Sequence, residues 1–183
     1  MPNRLRHIAF LRGINVGGHK LIKMDALANA FTSAGFRNAK TYIASGNVIF
    51  NSRATKLDGL EKKAERKLLE TFGHEIAVVI FSVAELQDLI ERDPFKAFHS
   101  HADVMLVVTF LKKKVLRVKL PLESQTENLE VFAIQDRAAF TVARRKKTGW
   151  FGFPNNFIEK KLGVAATTRQ WRTVEKVVAA AGI

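Results

Sequence analysis

Two stretches decide the fold: Ile8-Ala9-Phe10-Leu11-Arg12-Gly13-Ile14-Asn15-Val16-Gly17-Gly18, and then Thr41-Tyr42-Ile43-Ala44-Ser45-Gly46-Asn47-Val48-Ile49-Phe50. They set two glycine turns around a strand, a helix and a second strand. Residues 8–11 form an unbroken apolar run stopped by Arg12-Gly13, the pattern of a strand buried on both faces. After Gly17-Gly18, the apolar residues Met24, Leu27, Ala28 and Phe31 recur at i, i+3, i+4 and i+7, one face of an amphipathic helix. Gly35 stands where that helix would end in a left-handed turn. Residues 40–44 and 48–50 then read as a hairpin around Ser45-Gly46-Asn47.

Working outward, Leu57, Leu60, Ala64 and Leu68 mark a second helix that stops near Gly73, and residues 76–81 return as a strand. Ser82-Val83-Ala84-Glu85 has the form of a capping box, opening a third helix that ends before Pro94. The order is βαββαβ with a trailing helix, which predicts a sheet ordered 4-1-3-2. The second half partly repeats it: strands at 104–111, 129–134 and 139–143, the last two a hairpin around Asp136-Arg137. A helix at 156–162, a short extended piece at 164–167 and a final helix at 171–181 follow. Only residues 112–128 remain for the first crossover, and Pro121 interrupts them. The expected fold is therefore α+β. A ferredoxin-like (βαββαβ) lobe, residues 1–95, packs closely against a second, irregular ferredoxin-like α+β lobe, residues 96–183, with the boundary within 93–101.

These segments resemble the bacterial family known as domain of unknown function 1697. The likeness rests on Ala9 to Gly18, Ile22-Lys23-Met24, Gly35-Phe36 and Thr41 to Phe50. Near the other end, Thr167-Thr168-Arg169-Gln170-Trp171-Arg172-Thr173-Val174 is similar to the family's closing Thr-Arg-Asn-Trp-Asn-Thr-Val signature. Gln170 and Arg172 stand where the family pattern has Asn. The resemblance implies two ferredoxin-like lobes and brings no activity, substrate or catalytic set with it.

The chain's 183 residues, 47% hydrophobic and 26% charged, are those of a globular protein long enough for one domain or two lobes. No apolar run approaches the roughly 20 residues of a membrane span, and Met1 to His7 lacks the features of a secretion signal. There is no cysteine, hence no disulfide framework, thiolate metal site or thiol nucleophile. A cytoplasmic location and no membrane partner are expected. The net charge of +13 is uneven: residues 1–93 hold 14 Lys+Arg against 10 Asp+Glu, whereas residues 94–183 hold 16 against 7. Such an excess draws nucleic acid and other polyanions, or serves only to keep the surface solvated.

Three places could carry chemistry. In a split βαβ unit the loops after strands one and two leave the same end of the sheet, about 10 Å apart. Arg12, Asn15, Gly17, Gly18 and Lys23 would face Ser45, Gly46 and Asn47 across that rim. Glycine loops before a helix can aim N–H groups at a phosphate or carboxylate of a small metabolite. The same glycines can equally be plain turn formers, since the sequence is neither a dinucleotide fingerprint nor a Walker loop. Second, Thr167 or Thr168 is expected to cap the last helix, setting Arg169 and Arg172 at its positive end as polyanion contacts, with Trp171 in the core. Third, Arg144-Arg145-Lys146-Lys147 leads into Thr148-Gly149-Trp150-Phe151-Gly152-Phe153. Cations beside flat rings suit single-stranded nucleic acid; alternatively the loop tucks its aromatics into the core. Residues 48–50 lack the aromatic pattern of an RNA recognition motif.

No metal site, cofactor or catalytic set emerges. His99 and His101, with Asp103 as a third group, form no complete ligand set, and Ser45 is in no nucleophile elbow. The reading that follows is a soluble binding protein for an anionic ligand, nucleic acid leading. The alternative is an enzyme or small-molecule binder acting on a phosphorylated or carboxylated metabolite at the rim.

Overall fold

The computed structural model describes residues 5–17, 21–43, 46–53, 56–98 and 103–182. The chain divides into two compact units, Met1–Asp88 with Lys176–Ile183, and Leu89–Glu175. The sequence reading sets the boundary slightly later and assigns the whole final helix to the second lobe.

The first unit contains β1 (Leu5–Leu11), α1 (Met24–Ser33), β2 (Arg37–Thr41), β3 (Asn47–Ser52), α2 (Leu57–Phe72) and β4 (Val78–Ser82), followed by α3 (Val83–Glu91). Its sheet runs β2-β3-β1-β4, the expected order, and every neighbouring pair is antiparallel. Odd residues of β1 (Ala9, Leu11) join Val48, Phe50, Val78 and Ile80 beneath Leu27, Phe31, Leu60, Ala64 and Leu68 of the two helices. Even residues Ile8 and Phe10 are buried as well. That double burial is why β1 reads as a continuous apolar run rather than an alternating one. The α3 start is a true capping box: Ser82 N–H donates to Glu85 Oε2 at 2.7 Å, and Glu85 N–H returns to Ser82 Oγ at 3.2 Å.

The second unit holds β5 (Val104–Leu111), β6 (Leu122–Ser124), β7 (Leu129–Gln135), β8 (Ala138–Arg144), α4 (Asn155–Leu162), β9 (Ala166–Gln170) and the start of α5 (Trp171–Ala181). Its sheet runs β6-β7-β8-β5-β9. Apart from β6, the strands β5, β7, β8 and β9 repeat the order taken by β1, β2, β3 and β4. The irregularity lies at the first crossover, which carries the edge strand β6 and no α-helix. Val115 and Leu120 from that segment pack on the cluster of Leu111, Val131, Ala139, Ile158 and Ala166, supplying apolar surface that a crossover helix would otherwise bring.

One expectation is corrected. Thr167 and Thr168 do not cap α5; they lie in β9, opposite Phe110 and Thr109, and the helix starts directly after Gln170. The Thr168 hydroxyl is 2.8 Å from that of Thr109 and donates to Asn155 Oδ1 at 3.1 Å. Hydroxyls that can satisfy one another across a buried ladder suit a β-branched residue in a strand.

Candidate functional site

The rim of the first unit is built largely for its own support. Asn15, at φ 55°, uses its amide twice on one residue: Nδ2 donates to Ile22 O at 3.0 Å and Oδ1 accepts from Ile22 N–H at 2.8 Å. Asn47 is the buried first residue of β3, and its Nδ2 donates to Tyr42 O at 3.0 Å. Gly46 O accepts from Leu11 N–H at 2.8 Å. Gly46 has φ +77°, and a Cβ there would lie 2.9 Å from the Ile14 side chain, so the turn demands glycine. Arg12 is half-buried, with its N–H on Ala77 O; Gly17 is exposed at φ 60°; Lys23 is exposed just ahead of α1. Gly18 and Ser45 lie outside the described residues, as do His99 and His101. Three apolar side chains of this rim, Val16, Leu21 and Ile43, are exposed as well.

Arg169 and Arg172 are separated by burial. Arg172 is exposed on α5, whereas Arg169 is only 8% exposed. Its Nη1 donates to Thr167 Oγ1 and to Thr168 O, both at 2.8 Å. Burial lowers its pKa to about 10, so it still carries its charge at neutral pH. Trp171 is 3% exposed and meets Phe95 and Phe140 edge-on, at centroid distances of 5.2 and 6.2 Å. It is a core anchor.

The basic–aromatic stretch has the most to offer. After β8 the chain forms a small hairpin: Lys146 N–H donates to Trp150 O at 2.8 Å, Gly149 N–H to Lys146 O at 2.9 Å, and Arg145 bridges to Phe151. Gly149, at φ 84°, makes the turn. Asn128 Nδ2 holds the base through the carbonyls of Arg144 and Arg145. Gly152 lies so close to the Glu127 carbonyl that any Cβ would collide with backbone. The hairpin is thus pinned at its base while its side chains reach outward. Trp150 is 78% exposed and Phe153 51% exposed; the idea that both tuck into the core does not hold. Only Phe151 is half-buried, with the Arg145 guanidinium 4.7 Å from its ring centroid.

The cations here are mostly matched. Arg144 pairs with Glu130 at 3.6 Å, Arg145 with Asp103 at 3.3 Å and Lys146 with Glu127 at 2.9 Å. Lys147 is exposed and has no carboxylate partner among the described residues. The pairs of Arg144 and Arg145 are exposed and hold by about 0–1 kcal/mol each, so a phosphate can displace them; that of Lys146 is part-buried.

Sequence reasoning missed two basic clefts in the first unit. One, of about 350 Å³, is lined by Lys63, Arg66, Lys67 and Glu70 beside the end of α1; the other, of about 200 Å³, lies between Arg6, Asn38, Lys40 and Ala180. The first draws its cations from one face of α2, whereas the second joins Arg6 of β1 to Lys40 of β2, which no local pattern reveals. Among the described residues no group of three or more His, Asp or Glu could hold a metal ion. Among them, too, no helix is long and apolar enough to cross a membrane.

A family profile described as protein of unknown function, DUF1697, matches residues 5–140. The match stops short of the closing Thr167 to Val174 segment. No curated protein matches the chain. Among solved structures, the conserved bacterial protein SP0830 from Streptococcus pneumoniae is similar in fold. Its TM-score is 0.67 at 20% identity, covering 97% of this chain and 98% of that one.

Proposed function

This chain belongs to the DUF1697 family of proteins of unknown function, and we propose from its own geometry that it is a binding protein for nucleic acid, with the hairpin of residues 144–153 as the contact. The observation that carries the reading is Trp150, held 78% exposed on a pinned loop beside the cations Arg145, Lys146 and Lys147. Two aromatics, Trp150 and Phe153, are exposed on this one loop, and their neighbours are the groups that meet phosphates. The excess of positive charge in residues 94–183 supports the same ligand through long-range attraction. A cytoplasmic setting belongs to this reading.

A titration of fluorescent RNA and DNA across salt concentrations tests it. Binding is expected at low salt and should weaken as salt rises; no binding of either at low salt removes the proposal. The competing reading, an enzyme or small-molecule binder at the rim, has less in its favour, because Asn15 and Asn47 engage Ile22 and Tyr42.

A further inference from the structure

We infer that the ligand is single-stranded, and that a base stacks on Trp150 while Lys147 meets the adjoining phosphate; this rests on the nucleic-acid reading above. The argument starts from charge. Around the hairpin four cations face three carboxylates, Glu130, Asp103 and Glu127, leaving a net of one positive charge. A duplex carries one charge per about 1.7 Å of axis, and proteins that hold it non-specifically neutralise many phosphates at once. This hairpin offers too little unmatched charge for that. Its surplus is aromatic surface, and in a duplex the base faces are hidden in the stack. In a single strand they are free, and every base has one.

The shape agrees. Along the strand that returns from the tip, Trp150 and Phe153 are exposed, while Phe151 is half-buried and Gly152 is buried against Glu127. Two rings therefore stand outward from a backbone that leaves no room for a Cβ at Gly152 beside the Glu127 carbonyl and in which Trp150 O accepts from Lys146 N–H. A loop whose backbone is already bonded in place loses little freedom when a base settles on its ring. Lys147, next to the turn, is the cation with no carboxylate to displace. Because stacking reads no hydrogen-bond pattern, RNA and DNA strands should both bind, with modest preference among bases.

The chain also supplies its own reporter. Of its two tryptophans, Trp171 is buried and Trp150 is not, so quenching of the solvent-exposed component of the emission reads stacking directly. The experiment compares oligothymidylate and oligouridylate of about ten nucleotides with an abasic strand of the same length, a duplex and inorganic polyphosphate. Each is titrated by anisotropy and tryptophan emission against the native chain, Trp150→Ala, Trp150→Phe and Lys147→Ala.

The single strands should bind about tenfold or more tighter than the abasic strand, with quenching. Trp150→Ala should lose about tenfold and Trp150→Phe much less, as expected for stacking. The log–log salt slope should be no steeper than about −1.5, because one or two phosphates at about −0.7 each are neutralised. If strands, duplex and abasic backbone bind alike, and Trp150→Ala changes nothing while Lys147→Ala weakens all of them, the single-strand inference falls and the nucleic-acid reading stands. If no oligonucleotide binds at low salt, both fall.

Discussion

Trp171 and Trp150 are treated oppositely by the fold, and substitution should expose the difference. Trp171 is packed between Phe95 and Phe140, so Trp171→Ala should lower stability by about 3–5 kcal/mol in a thermal or urea melt. Arg172→Asn, on the exposed face of the same helix, should change it by about 0.5 kcal/mol at most. A severe loss from Arg172→Asn would mean that the side chain has a structural partner. His7 is a different case. Its ring is buried and stacks on Phe50 at 5.4 Å. Desolvation lowers its pKa below the ordinary 6.5, against weaker raising contributions from the Leu5 backbone and from Glu85. The unfolded chain then binds the proton more readily than the folded one. Stability is fully present above pH 6.5 and is lost as pH falls from there toward the folded-state pKa. His7→Phe should flatten that fall in melts taken between pH 7 and pH 5; an unchanged pH profile would show that His7 is not its source. The sequence placed Trp171 well, because its stripe with Val174, Val178 and Ala181 is periodic. It could not place Trp150, because a ring in a glycine-flanked loop has no periodicity to say which way it faces.

At the scale of elements, the two sheets protect their outer strands in the same way. β4 has β1 as its single partner strand, and its outward N–H groups at Val78 and Ile80 donate to Glu65 and Glu61 of α2, both at 2.9 Å. β9 stands at the corresponding edge, and Ala166 N–H donates to Glu159 of α4 at 2.8 Å. Val78 lies opposite Leu11 and Ala166 opposite Leu111, so the two acceptors serve matching positions. A carboxylate here closes an edge that would otherwise invite another strand. Glu159→Ala should therefore cost about 1–3 kcal/mol, the penalty of an unmet buried donor. It should also speed hydrogen exchange at Ala166 ahead of the β5 amides; equal protection in both chains would count against the edge role. These roles were illegible beforehand, since glutamates on an amphipathic helix look like any solvated face. Most elements could be read, because each has its own period and stop signal. β9 was harder: Thr167 and Thr168 are good helix caps as well as good strand residues, and only pairing with Phe110 and Thr109 decides between them. Arg169 followed the same error, from helix terminus to strand interior. The three-residue β6 is too short to show any alternation.

For the molecule as a whole, the βαββαβ order of the first half led to its sheet order without ambiguity, because few topologies satisfy short, right-handed crossovers. What pattern could not supply was the sharing of the chain between units. The first unit takes in Lys176–Ile183, and the Arg6 guanidinium donates to the carbonyl of Ala181. No local periodicity links residues so far apart. That closure has a consequence in time. Lys176 follows Asp88 by the full length of Leu89–Glu175, which a ribosome adds in roughly 4–17 s at 5–20 residues per second. The half of the protein made first therefore cannot be finished first: its last piece arrives only after the other half has been synthesised. During that interval the nascent sheet lacks the buried side chains of Val177, Val178 and Ala181, a window in which a chaperone rather than the chain itself would have to shield it.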